Sequence, residues 1–121
     1  MSLKILHNAN CSKSNAAIEV LRDRKIAVEV INYLEKPLNK KEIIELLNVL
    51  KKRPVEIVRH KEIAWVESGL GENSPDCDVV NILTIHPHLM ERPIIYSQNV
   101  GVVGRPVTNL VDFLDNEYVR R

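Results

Sequence analysis

The spacing of apolar residues changes period several times along the chain, and each change marks an element. Leu3 to His7 is a short apolar run closed by the turn-forming Asn8-Ala9-Asn10, which predicts a buried strand running into a loop. Beyond it Ala17, Val20 and Leu21 recur at helical spacing, with Cys11 or Ser12 at the N-cap, until Asp23-Arg24-Lys25 ends the pattern. Ile26 to Ile31 is rich in β-branched residues and predicts a second strand. Strand, helix and strand in succession imply a right-handed crossover and a parallel pair.

The middle of the chain reads as helical. Asn39-Lys-Lys-Glu42 has the spacing of a capping box ahead of Ile43, Ile44, Leu46, Leu47 and Leu50, an amphipathic set that Arg53-Pro54 terminates. A short helix is expected from Lys61 to Glu67, before the loop Gly69-Leu70-Gly71. Ser74-Pro75 has the form of an N-cap and first helical residue, opening a helix through Val79, Val80, Ile82 and Leu83 that stops at His86-Pro87. Pro93 to Ser97 and Val100 to Val103 flank Gln98-Asn99, the layout of a β-hairpin with a two-residue connection. Val107, Leu110, Val111 and Leu114 return to helical period. The order predicts an α/β fold with a mixed sheet of about four strands and helices against it.

Length and charge narrow the classes. The 121 residues suit one domain spanning 1–121, with no repeat, low-complexity tract or linker. Seventeen basic against sixteen acidic residues leave a net charge of +1, so no broad field attracts nucleic acid or an anionic membrane. The N-terminal apolar stretch from Met1 to His7 is too short for a signal peptide, and no run is long enough to cross a bilayer. Two cysteines, Cys11 and Cys77, make no disulfide framework; a cytoplasmic monomer with free thiols is expected.

Cys11 is the chemical focus. A cysteine at the first turn of a helix faces unsatisfied backbone N–H groups and the positive end of the helix dipole, which favour thiolate over thiol. His7 and Lys13 stand close enough in sequence to add positive charge or a hydrogen bond, and Ser12 and Ser14 offer hydroxyls. The segment His7-Asn-Ala-Asn-Cys11-Ser-Lys-Ser14, with Asn15 following, is thereby an anion cradle. Cys77, between Asp76 and Asp78, lacks these features and is expected to be structural, facing the core.

That loop, together with Glu91-Arg92-Pro93-Ile94 and then Gly104-Arg105-Pro106, resembles in order and spacing the signatures of the glutaredoxin-coupled arsenate reductase family, over nearly the whole chain. The resemblance implies a thioredoxin-like fold with a helical insertion, a cysteine that attacks the arsenic of arsenate, and an arginine trio matching Arg59, Arg92 and Arg105. It also implies that Pro93 follows a cis peptide bond beside Cys11, that glutathione is a co-substrate with no bound cofactor, and that glutaredoxin releases arsenite. Guanidinium forks suit this role, because they neutralise the repulsion between thiolate and oxyanion while holding paired oxygens. Two positions depart from the family: Asn15 stands where the reductases usually carry an arginine, and Ala9 where they often carry a proline. The first removes a positive group from the helix start; the second leaves the turn less rigid.

Other classes compete. Redox-sensing regulators of RNA polymerase share the fold and length but carry Cys-x-x-Cys, whereas this chain reads Cys11-Ser-Lys-Ser14. A thiol oxidoreductase linked to glutathione, without an arsenate role, needs only one thiolate. A metal site from His7, Cys11, His86 and His88 ranks last, since no pair has metal-ligand spacing with partners.

Overall fold

The structure, a computed structural model, describes residues 3–8 and 10–118. The expectations for Met1 in the N-terminal stretch and for Ala9 in the loop lie outside the described residues. β1 (Leu3–Leu6) leads through α1 (Ser12–Asp23) to β2 (Val28–Ile31), and the hairpin is β3 (Ile94–Tyr96) with β4 (Gly101–Val103). Between β2 and β3 lie α2 (Lys40–Leu50), α3 (Ile63–Ser68) and α4 (Asp76–Ile85), with short 3-10 turns at Pro54–Ile57 and Pro87–Leu89. α5 (Val107–Phe113) follows the hairpin and continues into a π turn, Leu114–Tyr118.

The sheet has four strands in the order β2-β1-β3-β4. β1 and β2 pair in parallel, Leu6 opposite Ile31, while β1 and β3 are antiparallel, Leu6 opposite Ile94. Alternation along the strands divides the core into two halves. Leu3, Ile5 and Ile95 pack with Ala17, Leu21, Leu110 and Phe113, so α1 and α5 cover one face. Leu6 and Ile94 turn the other way, onto Ile43, Leu46 and Leu47 of α2 and Val79, Val80 and Leu83 of α4. The result is the three-layer α/β fold with a helical insertion that the sequence predicts.

Local chemistry sets the boundaries. The capping box at α2 is complete, Glu42 N–H donating to Asn39 Oδ1 at 2.8 Å and Asn39 N–H to Glu42 Oε1 at 2.9 Å. α4 begins one residue later than expected, with Pro75 at the N-cap. Ser74 is already engaged, because its hydroxyl accepts from Gly71 N–H at 2.8 Å and closes the preceding turn. Cys77 is exposed, correcting the expectation that it faces the core. It lies in the first turn of α4, whereas burial of that helix begins at Val79. Gln98-Asn99 does form a tight connection, with Ser97 N–H donating to the Val100 carbonyl at 2.8 Å.

Candidate active site

The topology brings distant segments to one end of the sheet. The C-terminal ends of β1 and β2, the start of β3 and the end of β4 are level there, because Leu6 pairs with both Ile31 and Ile94, and Ile94 pairs with Val103. The loop residues His7, Asn8, Asn10 and Cys11, together with Tyr33, Arg92-Pro93 and Gly104-Arg105-Pro106, therefore share a neighbourhood. A fifth segment joins them: Val58 bridges Met90, Arg59 N–H donates to the Leu89 carbonyl at 2.7 Å, and Glu91 N–H donates to the Ile57 carbonyl at 2.7 Å. That short ladder carries Arg59 toward Arg92.

Cys11 is the N-cap of α1, in extended conformation at φ −106 and ψ 121. Its loop is tied down locally, Cys11 N–H donating to the Asn8 carbonyl at 2.9 Å and Asn10 N–H to Asn8 Oδ1 at 3.0 Å. Ser14 is fully buried, and its hydroxyl accepts from Asn8 N–H at 3.4 Å. That hydroxyl thus serves the loop, and the backbone N–H of Ser14 is the group directed at the sulfur. Burial pushes the Cys11 thiol up, but the Ser14 N–H, the Arg92 guanidinium and the Lys13 N–H outweigh it and bring the pKa down to about 7. The two amides occupy the positions that satisfy an N-cap side chain. The sulfur closes no capping bond of standard geometry, but hydrogen bonding from these groups lowers its pKa ahead of the plain charge of Arg92. No acidic residue occupies the first turn of α1 to oppose it.

Other candidates divide by placement. Arg92 precedes a cis peptide bond to the buried Pro93, whose carbonyl accepts from Gly104 N–H at 2.9 Å. A side chain on Gly104 would lie 2.8 Å from Ile95 Cδ1, so glycine permits the third signature to approach the second. Arg59 is partly buried and ion-paired to Glu62, Nη1 to Oε1 at 2.7 Å. Arg105 is exposed at the rim, with a cis bond to Pro106 and its carbonyl accepting from Asn109 Nδ2 at 3.1 Å. Ser12, Lys13 and Asn15 are exposed along the first turn. The three guanidinium groups are therefore not equivalent: Arg92 acts on the Cys11 sulfur and lowers its pKa, Arg59 is already paired with Glu62, and Arg105 is exposed.

His7 differs from expectation. Burial holds it below the usual histidine range, so it is neutral at neutral pH and adds no charge to Cys11; its Nδ1 is buried without a hydrogen-bond partner among the described residues. Sequence reading also passed over Tyr33, 1% exposed, whose hydroxyl lies in the field of Arg92, Arg59 and Cys11. Tyr33 and Arg92 attract each other without closing a hydrogen bond of standard geometry. Tyr33's only sequence signal is a lone aromatic just after the second strand, beside Asn32. Among the described residues no cluster of three or more His, Cys, Asp and Glu could hold a metal ion. An open groove of ≈ 800 Å³ lies between α2 and the far end of β3, lined by Glu42, Glu45, Tyr96 and Gln98 and remote from these residues.

Comparison with known proteins gives consistent findings. The family model described as ArsC family matches residues 6–113. The arsenate reductase of Neisseria meningitidis serogroup A is 37% identical over 110 residues, covering 89% of this chain and 94% of its own length. YfgD of Escherichia coli, described as uncharacterized, is 31% identical over 114 residues, covering 93% and 96% respectively. Among solved structures, an arsenate reductase from Vibrio cholerae matches with a TM-score of 0.84 at 33% identity, over 92% of this chain and 97% of that one.

Proposed function

Since the chain belongs to the ArsC family and is an enzyme of the arsenate reductase type, we propose that it reduces arsenate to arsenite through a Cys11 thiolate, with glutathione and glutaredoxin as electron donors. The observation that carries the reading is the Cys11 sulfur, ionised near neutrality at the start of α1 with the Arg92 guanidinium against it. A thiolate and a tetrahedral oxyanion repel, and a guanidinium beside the sulfur offsets that repulsion while binding oxygen.

The sequence of steps follows from the valences. Cys11 sulfur forms a bond to arsenic and one arsenic oxygen, with protons taken from solvent, leaves as water. A glutathione thiol replaces a second oxygen in the same way, giving an arsenic bonded to both sulfurs. The glutaredoxin thiolate then attacks the glutathione sulfur; the sulfur–arsenic bond breaks, its electron pair reduces arsenic from the pentavalent to the trivalent state, and a mixed disulfide leaves. Water releases arsenite and returns the Cys11 thiolate. Arg92 holds oxygens and stabilises charge throughout; Arg59, Arg105 and the first turn from Ser12 to Asn15 complete the anion-binding surface, with Pro93 fixing the start of β3. A single domain acting in the cytoplasm suits this chemistry.

A second reading, glutathione-linked thiol exchange without arsenate turnover, is favoured by one observation: Glu62 already occupies Arg59. A coupled assay separates the two. Arsenate, glutathione, glutaredoxin, glutathione reductase and NADPH are mixed with the protein, and nucleotide oxidation is followed against Cys11→Ser. Arsenate-dependent oxidation in the parent alone supports reduction; equal rates in the two proteins refute it.

A further inference from the structure

Among the described residues, the buried side-chain nitrogen and oxygen atoms without a hydrogen-bond partner are His7 Nδ1, Tyr33 Oη and Arg92 Nε. All belong to the end of the sheet where Cys11 sits. A buried polar group left unpartnered costs stability, so native chains keep few. Their concentration beside one thiolate marks a place built for an occupant with several hydrogen-bonding atoms.

Tyr33 is the unexplained member. The turn after β2 fixes its direction, with Leu34 N–H donating to Asn32 Oδ1 at 3.2 Å and Lys36 N–H to the Asn32 carbonyl at 3.0 Å. Its ring belongs to the core cluster that includes Leu6, Ile57, Leu89 and Ile94. Phenylalanine would serve that packing equally well. The hydroxyl closes no hydrogen bond of standard geometry among the described residues, yet it lies in the field of Arg92, Arg59 and Cys11. Burial raises its pKa, so it keeps its proton at neutral pH and remains a donor.

We propose that the Tyr33 hydroxyl donates a hydrogen bond to an oxygen of the tetrahedral oxyanion engaged by Cys11 and Arg92, making Tyr33 an oxyanion-binding residue of this site. The proposal rests on the oxyanion reading of the preceding subsection. A tetrahedral oxyanion has more acceptor sites than one guanidinium fork can fill. A neutral donor at the base of the site supplies another without lowering the charge or reactivity of the thiolate.

The test is Tyr33→Phe, read by protection of Cys11 from iodoacetamide in the presence of arsenate, phosphate or sulfate. Loss of a hydrogen bond to a charged acceptor should raise the half-protecting concentration about tenfold or more. Without anion, the variant should melt at the same temperature or about 3 °C higher, because a buried hydroxyl that closes no hydrogen bond of standard geometry has been removed. Unchanged protection overturns the proposal. A lower melting temperature also overturns it, since the hydroxyl would then have a partner within the protein. If no anion protects the parent protein, this proposal and the oxyanion reading fall together. If anions protect the parent but arsenate is not turned over, the reductase reading alone fails, and the protection ratio still decides the role of Tyr33.

Discussion

Replacing Arg92 by Met keeps the unbranched stem and removes the charge and hydrogen bond that the guanidinium gives the Cys11 sulfur. Two backbone amides remain, so the thiolate is weakened rather than lost. A charge-assisted bond at a partly solvated site is worth on the order of one decade in acidity, which moves the Cys11 midpoint from about 7 to about 8. At pH 7 the thiolate fraction then falls roughly fivefold, yet a more basic thiolate is about threefold more nucleophilic at a Brønsted slope near 0.45. These effects nearly cancel, so the rate at pH 7 falls only about twofold while the plateau at high pH rises about threefold. The two pH–rate curves should cross between about pH 7 and 8. Iodoacetamide is the reagent of choice because it is neutral, and the measurement is made in a Cys77→Ser background since Cys77 is exposed. Superimposed curves with one midpoint would refute the electrostatic account of Cys11.

Further outcomes follow from other contacts. Glu62→Gln frees the Arg59 guanidinium from its 2.7 Å ion pair and should lower the half-protecting concentration of arsenate severalfold in the alkylation assay; no change would mean that Arg59 does not reach the anion. Gly104→Ala places a methyl group 2.8 Å from the fully buried Ile95 Cδ1 and should cost about 1–2 kcal/mol in urea unfolding, with reduced turnover as Arg92-Pro93 and Arg105 are pushed apart. Cys11 has a folded pKa of about 7 against an ordinary thiol value of 9.0, so the folded state binds fewer protons in that interval. Stability relative to Cys11→Ser should accordingly rise from pH 7 to 9 and be lost as pH falls through 7, and parallel stability curves for the two proteins would contradict the shift.

The local features of the site were legible because they depend on neighbours in sequence. Cys11 as N-cap follows from a polar turn between an apolar run and a helical period, and the Asn39–Glu42 box is complete in four residues. The hairpin around Gln98-Asn99 is local as well. What depends on tertiary placement was not legible. Tyr33 reads as an ordinary aromatic until the parallel pairing of β1 with β2 sets it beside His7 and Arg92. The neutrality of His7 comes from burial, which a strand end does not reveal. Cys77 has helical spacing to Val80, but the first turn of α4 projects beyond the core, and periodicity does not report where a helix meets its support. The pairing of Arg59 with Glu62, three residues apart, was open to inspection yet became meaningful only once Arg59 was carried to the sheet end by the Val58–Met90 bridge.

Because the sulfur's acidity is assembled from segments far apart in the chain, it exists only while the fold does. An unfolded copy presents Cys11 as an unexceptional thiol; a folded copy presents it as an acidic, quick one, while Cys77 is exposed for the same reagent to sample. The ratio of labelling at the two positions is therefore a built-in gauge of how much of the population is folded, readable by mass spectrometry on an untagged protein.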